Sequence, residues 1–150
     1  MFHRLNEVSA RGPRFFIFIS ILFILPLLIV ILNMIQNKDF KQYPLSFPET
    51  LEAAHFENVS FKVKNKIFVT HNAKENRCCA KLSAEEQPLF CMIDKEIIFP
   101  VPNKWGKHGW TLVNLKLVNE ELLMEILTAA YCCVAPPKLS APFLKQIDSF

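Results

Sequence analysis

Val59-Ser60-Phe61-Lys62-Val63-Lys64-Asn65-Lys66-Ile67-Phe68-Val69-Thr70-His71 is the stretch that decides the fold. Val59, Phe61 and Val63 alternate with Ser60 and Lys62, the period of a strand with one buried face. Lys64-Asn65 is a two-residue turn, and Lys66 to His71, rich in β-branched and aromatic residues, is the return strand of a hairpin. A hairpin with one apolar face needs a second layer to cover it, so helices are expected nearby.

Towards the C-terminus, Asn72 to Asn76 is a polar loop and Arg77-Cys78-Cys79-Ala80-Lys81-Leu82 a third strand. Ser83 with Glu86 makes a capping box, which starts a helix near Ala84 that runs to about Ile93, strained or restarted at Pro88. Ile97-Ile98-Phe99 is a short strand stopped by Pro100 and Pro102. Asn103 to Gly109 is a loop, and Gly109 or Trp110 to Leu115 is a fifth strand. Asn119 caps a long helix with Glu120 and Glu121 in its first turn. Leu122, Leu123, Ile126, Leu127, Ala130 and Val134 share one face of it, Glu120, Glu121 and Glu125 face solvent, and Pro136-Pro137 ends it. Towards the N-terminus, Asp39 to Tyr43 reads as a short helical turn and Pro48 to Ala53 as a second, with Pro at a favourable early position. The expected fold is a two-layer α+β domain: one antiparallel sheet of about five strands with helices on one side, in the order helix, three strands, helix, two strands, helix.

The first 33 residues are of another kind. Phe15 to Leu32 is an apolar run broken only by Ser20 and Pro26, and no charge occurs from Phe15 through Asn37. Eighteen residues at 1.5 Å rise span about 27 Å, enough for the hydrocarbon core of a bilayer. A cleaved signal peptide fits less well, because Ile31-Leu32-Asn33-Met34-Ile35 lacks small residues at the cleavage positions. Two readings stand. One is a single-pass membrane protein, nominally with its N-terminus in the cytoplasm because Arg4, Arg11 and Arg14 outweigh Lys38 and Lys41. The other is translation from Met34, which gives a cytoplasmic protein. Domain organisation follows: residues 1–33 as an extension with a transmembrane helix at about 15–32, and residues 34–150 as the folded domain.

Without Arg4, Arg11, Arg14 and Glu7, the 17 basic and 14 acidic residues of the chain become fourteen and thirteen, so the domain carries +1. That near balance excludes a histone-like protein, which needs a large cationic excess to hold phosphate. The five cysteines, Cys78-Cys79, Cys91 and Cys132-Cys133, contain no C-x-x-C and make a poor disulfide framework, since neighbours on a strand point to opposite faces. They read as small buried residues of a reducing compartment, in tension with a translocated domain. His55, His71 and His108 are scattered singly and read as structural. No metal-ligand spacing, nucleophile motif, phosphate loop or dinucleotide fingerprint is present, so neither cofactor nor enzymatic activity is expected.

Three phrases carry a resemblance. Leu45-Ser46-Phe47-Pro48-Glu49-Thr50 with His55-Phe56 opens the domain. Pro100-Val101-Pro102-Asn103-Lys104-Trp105-Gly106-Lys107-His108-Gly109-Trp110-Thr111 fills the loop, and Tyr131 to Leu139 closes the last helix. Together they resemble the MmcQ/YjbR family of small bacterial proteins over about Ile35 to Leu139. The loop is the most specific part, matching a Lys-Trp-Gly-Lys-x-Gly-Trp-like stretch with His108 at the variable position. The resemblance implies a fold like that of secretion chaperones and a DNA-binding label resting on analogy to winged DNA-binding motifs. The apolar span departs from the family, whose members usually start about ten residues before the Leu-Ser-Phe-Pro phrase, near Met34 here.

Read by chemistry, the loop joins two glycines that permit close backbone approach, lysines that attract phosphate and indoles that stack on bases. The same residues are also what turn geometry and sheet packing require. Lys62 and Lys64 are expected on one strand face, with Lys66 extending a basic hairpin tip; edge lysines also deter strand pairing. The candidate nucleic-acid residues are therefore Lys62, Lys64, Lys66, Asn103, Lys104, Trp105, Lys107, His108 and Trp110, with DNA as a weakly and non-specifically bound partner. The alternative is a protein- or peptide-interaction domain of secretion-chaperone type.

Overall fold

The structure is a computed structural model, and it describes residues 40–147, with side chains to 144. All of them belong to the unit Met34–Phe150; the apolar run Phe15 to Leu32 lies outside the described residues. Elements follow in the order α1 Gln42–Leu45, β1 Thr50–His55, β2 Asn58–Val63, β3 Lys66–Asn72, β4 Arg77–Lys81, α2 Glu86–Ile93, β5 Ile98–Pro100, a 3-10 turn Gly106–His108, β6 Trp110–Asn114, α3 Glu120–Val134 and α4 Pro137–Ile147. The class is α+β. The six strands form one antiparallel sheet in the order β1-β2-β3-β4-β6-β5.

The decisive hairpin forms as its pattern requires. Lys64 and Asn65 both take positive φ, 47° and 65°, the conformation of a tight two-residue turn matching strand twist. The register with β2 shifts between Phe61 and Lys62. This bulge leaves Phe68 without a cross-strand partner and turns both Phe68 and Val69, each fully buried, towards the helices. Phe61, Val63, Val69, Cys78, Ala80, Ile98 and Val113 complete that face and meet Leu123, Ile126, Leu127 and Ala130 of α3. Asn119 Oδ1 accepts from the Leu122 amide at 2.8 Å, so α3 starts at the expected cap. The capping box also forms: Glu86 N donates to Ser83 Oγ at 3.1 Å, and Ser83 Oγ donates to the Glu86 carboxylate at 2.8 Å.

Four expectations are corrected. Pro48 to Ala53 is not a helical turn. A turn closed by the Thr50 amide on the Phe47 carbonyl, with Glu49 at φ 56°, delivers the chain into β1, making six strands instead of about five. The order is thus helix, four strands, helix, two strands and two helices. Pairing with β2 overrides a local pattern too short to hold a helix. Secondly, α2 runs unbroken through Pro88, whose missing N–H falls in the first turn, where no intrahelical acceptor exists. Thirdly, after Pro136 the chain folds again as α4, with Pro137 at its first position. Finally, Lys62 and Lys64 do not share a strand face, as described below.

Tyr131 fastens the N-terminal segment to this layer. Its ring stacks on Phe47 at 4.9 Å and meets Phe68 edge-on, and its hydroxyl donates to the Pro48 carbonyl at 2.8 Å.

Candidate functional site

Among the described residues the helices all lie on one face of the sheet, and no element covers the other, here called the open face. Cross-strand partners share a face, so the register identifies its residues: Leu51 and Lys62 with Ile67; Ala53, Ser60, Thr70, Cys79, Leu112 and Phe99 in one row; His55 with Asn58; Asn72, Arg77 and Asn114; and Lys81 with Trp110. Among the described residues this face bears the cations Lys62, Arg77 and Lys81, the rings of Phe99, Trp110 and His55, and no carboxylate. The Arg77 guanidinium stands 5.8 Å from the Phe99 ring centroid and 3.6 Å from Glu75 in the neighbouring loop. Lys81 Nζ donates to the carbonyls of His108, at 2.5 Å, and Leu82, at 3.1 Å, pinning the 3-10 turn to the end of β4.

The β2–β3 turn and the loop from Val101 to Gly109 lie at the same end of the sheet, because Val63, Lys66, Lys81, Trp110 and Pro100 all end or begin their strands there. With strands about 4.8 Å apart, β3 and β6 are separated by about 10 Å and β2 and β5 by about 19 Å. The expected lysines nevertheless diverge. Lys62 is half-buried on the open face between Leu51 and Ile67. Lys64 sits in the turn and pairs with Glu49, which neutralises it. Lys66 lies opposite Val63, so it belongs to the other face.

In the loop, the roles separate residue by residue. Asn103 is used internally: its Oδ1 accepts from the Trp105 amide at 2.8 Å and its carbonyl from Gly106 N at 3.1 Å. Gly106 is packed so closely that a Cβ would lie 2.1 Å from the Val101 carbonyl oxygen, and Gly109, at φ +84°, would place one 2.0 Å from that of Leu82. Both glycines thus serve the loop's own packing. Trp105 is 53% exposed, with Lys104 Nζ 5.7 Å from its ring and the His108 ring 6.4 Å away. Lys107 is exposed beside a cleft of about 440 Å³ lined by Gln87, Pro100, Val101, Pro102, Asn103 and Gly106. Gln87 cannot turn freely into that cleft, since its amide donates to Thr111 Oγ1 at 2.9 Å.

Arg77, Lys81 and Phe99 were absent from the candidate set read from sequence. The signal was present: Arg77, Cys79 and Lys81 alternate with the buried Cys78 and Ala80, which assigns all three to the open face once β4 is known to be paired on both sides.

The five cysteines are free thiols. Burial raises the Cys78 thiol well above its usual range and pushes that of Cys79 up to about 11, so neither forms a thiolate at neutral pH. Among the described residues no three His, Cys, Asp or Glu side chains gather as a metal-binding group, and no helix is long and apolar enough to cross a membrane.

Residues 45–133 match the family model described as YjbR. Among solved structures, the crystal structure of Deinococcus radiodurans protein DR2400, with domain DUF419, is similar at 26% identity and a TM-score of 0.59, covering 68% of this chain and 80% of that one. No curated protein matches the chain.

Proposed function

The chain belongs to the YjbR family, and from that premise we propose that its domain is a non-enzymatic nucleic-acid-binding module, taking DNA on the open sheet face and on the loop at its end. One observation carries the reading: the open face displays Lys62, Arg77 and Lys81 beside Trp110 and Phe99 with no carboxylate among them, although the domain as a whole is near neutral. A face of one charge sign, not net charge, then supplies the attraction, so binding is weak, largely independent of sequence and steeply reduced by salt. Trp105, exposed and backed by Lys104, is the ring best placed to stack on an unpaired base.

Salt-titrated fluorescence anisotropy tests this with labelled duplex and single strands. Lys104→Ala with Lys107→Ala should flatten the log–log salt slope on duplex DNA by about 1.8 if both touch phosphate. Lys62→Ala should flatten it by about 0.9 on the same basis, whereas Lys64→Ala should change it little, because Glu49 already neutralises that charge. Trp105→Ala should weaken single-strand binding by roughly 1–3 kcal/mol with the slope kept. Absence of binding to either form at low salt would sink the reading.

A second reading has its own observation. Leu89, Met92 and Ile93 of α2 are exposed at i, i+3 and i+4 spacing, an apolar stripe suited to a peptide in the manner of a secretion chaperone. It predicts no salt-dependent DNA binding and loss of peptide capture in Met92→Glu.

A further inference from the structure

The two edges of the sheet are built differently. The β5 edge is three residues long, ends in Pro100 and is followed by Pro102, features that deter strand addition. The β1 edge is six residues, Thr50-Leu51-Glu52-Ala53-Ala54-His55, with no proline, lysine or bulge. Its backbone has a definite polarity. His55 and Asn58 flank the two-residue turn Phe56-Glu57, so they form a hydrogen-bonded pair, and the N–H and C=O groups of Leu51, Ala53 and His55 point to β2. Those of Glu52 and Ala54 therefore point outward. The Thr50 amide agrees with this alternation, since it bonds to the Phe47 carbonyl and not to β2.

We propose that this edge pairs antiparallel with β1 of a second copy of the chain, about a two-fold axis at Ala53. Outward-facing residues must pair with outward-facing residues, so Glu52 comes opposite Ala54 of the second copy and Ala54 opposite its Glu52, exchanging four backbone hydrogen bonds. Ala53 then faces Ala53 of the second copy in a non-hydrogen-bonded pair, the position where side chains approach closest and a small residue fits best. Leu51, 69% exposed in one copy, meets His55 of the other. Moving the register by one hydrogen-bonded pair towards the N-terminus places Glu52 directly against Glu52, a like-charge contact. Moving it the other way sets Leu51 against Glu57. Only the Ala53-centred register avoids both, and Glu52 keeps its 2.6 Å contact with Lys41 on its own copy. The result is a closed, isologous pair in which two six-stranded sheets run on into one. This inference is independent of what the open face binds.

Sedimentation of the full chain in detergent micelles tests it. Wild type should pass from monomer to dimer as concentration rises from about 1 µM to about 1 mM, the affinity range of a small interface. Ala53→Lys and Ala53→Glu should each stay monomeric, because each sets like charges face to face, and an equimolar mixture of the two should recover the dimer. Ala54→Pro should lose the dimer yet melt like wild type, since it removes an N–H that the monomer leaves unpaired. A wild type that is monomeric throughout, whether or not extended peptides bind it, overturns the proposal. So does association that survives Ala53→Lys, or a mixture that stays monomeric.

Discussion

Replacing Gly109 by Ala tests whether the loop beside the open face is held by backbone packing. Two costs follow from the geometry. The residue sits at φ +84°, where a Cβ costs roughly 1–2 kcal/mol. That Cβ would also lie 2.0 Å from the Leu82 carbonyl oxygen, and the atom met is backbone, so no side chain can swing away. Relief requires β4 and β6 to part at the rung where the Leu82 amide donates to the Gly109 carbonyl at 2.9 Å. Losing that bond adds about 1–3 kcal/mol if the amide stays buried and unpaired. The expected total is about 3 kcal/mol, which in a domain of this size lowers Tm by roughly 10 °C or more. Gly109→Asn separates the two costs: asparagine accepts positive φ but keeps the Cβ, so it should lose about half as much. Circular dichroism melts of the three proteins side by side give the readout. An alanine variant melting within about 2 °C of wild type would refute the packing argument, and equal losses for Ala and Asn would remove the conformational part.

Leu127→Asp places an unpaired charge in the fully buried layer between α3 and the sheet and should cost several kcal/mol; an unshifted melting transition would contradict the core assignment. The fragment Met34–Phe150 should be soluble and folded by itself, since it forms a compact unit of its own around the buried layer between the sheet and α3; its aggregation beside a stable full-length protein in detergent would refute this. His71 is buried against Phe40 at 4.4 Å, and burial, then Lys41, hold its pKa below 6.5. The unfolded chain therefore binds a proton first as pH falls, so this contribution to stability is intact above about pH 6.5 and is lost below it. Urea midpoints at pH 7.5 and 5.5 should differ less in His71→Asn than in wild type, whatever the variant's absolute stability; equal differences would exclude His71 as the cause.

What could be read from the residues alone divides along physical lines. The β2–β3 hairpin, the Ser83–Glu86 box and the Asn119 cap were legible because each is a local signal that its own few residues satisfy. Trp105 and the lysines of the loop stood out as candidates because these residue types crowd into one short segment. The open-face cations were not, since Arg77 and Lys81 acquire a common surface with Lys62 only through strand order, which periodicity does not encode. The pairing of Lys64 with Glu49 was hidden for the same reason: it depends on β1 being a strand.

β1 is the most instructive failure. Thr50 to His55 has no clean alternation, with Leu51 on the open face and Ala53 and Ala54 on either side of the strand, because an edge strand has one neighbour and little to bury. A proline followed by a glutamate and small residues then satisfies a helix-start pattern equally well. The turn before β1 and its six-residue register with β2 decide the matter, and both are tertiary. A segment that reads ambiguously because it lacks a second neighbour also has free backbone groups to offer one. The weakness of its sequence signal and its fitness for strand pairing thus share one cause, a row of donors and acceptors that the monomer leaves half used.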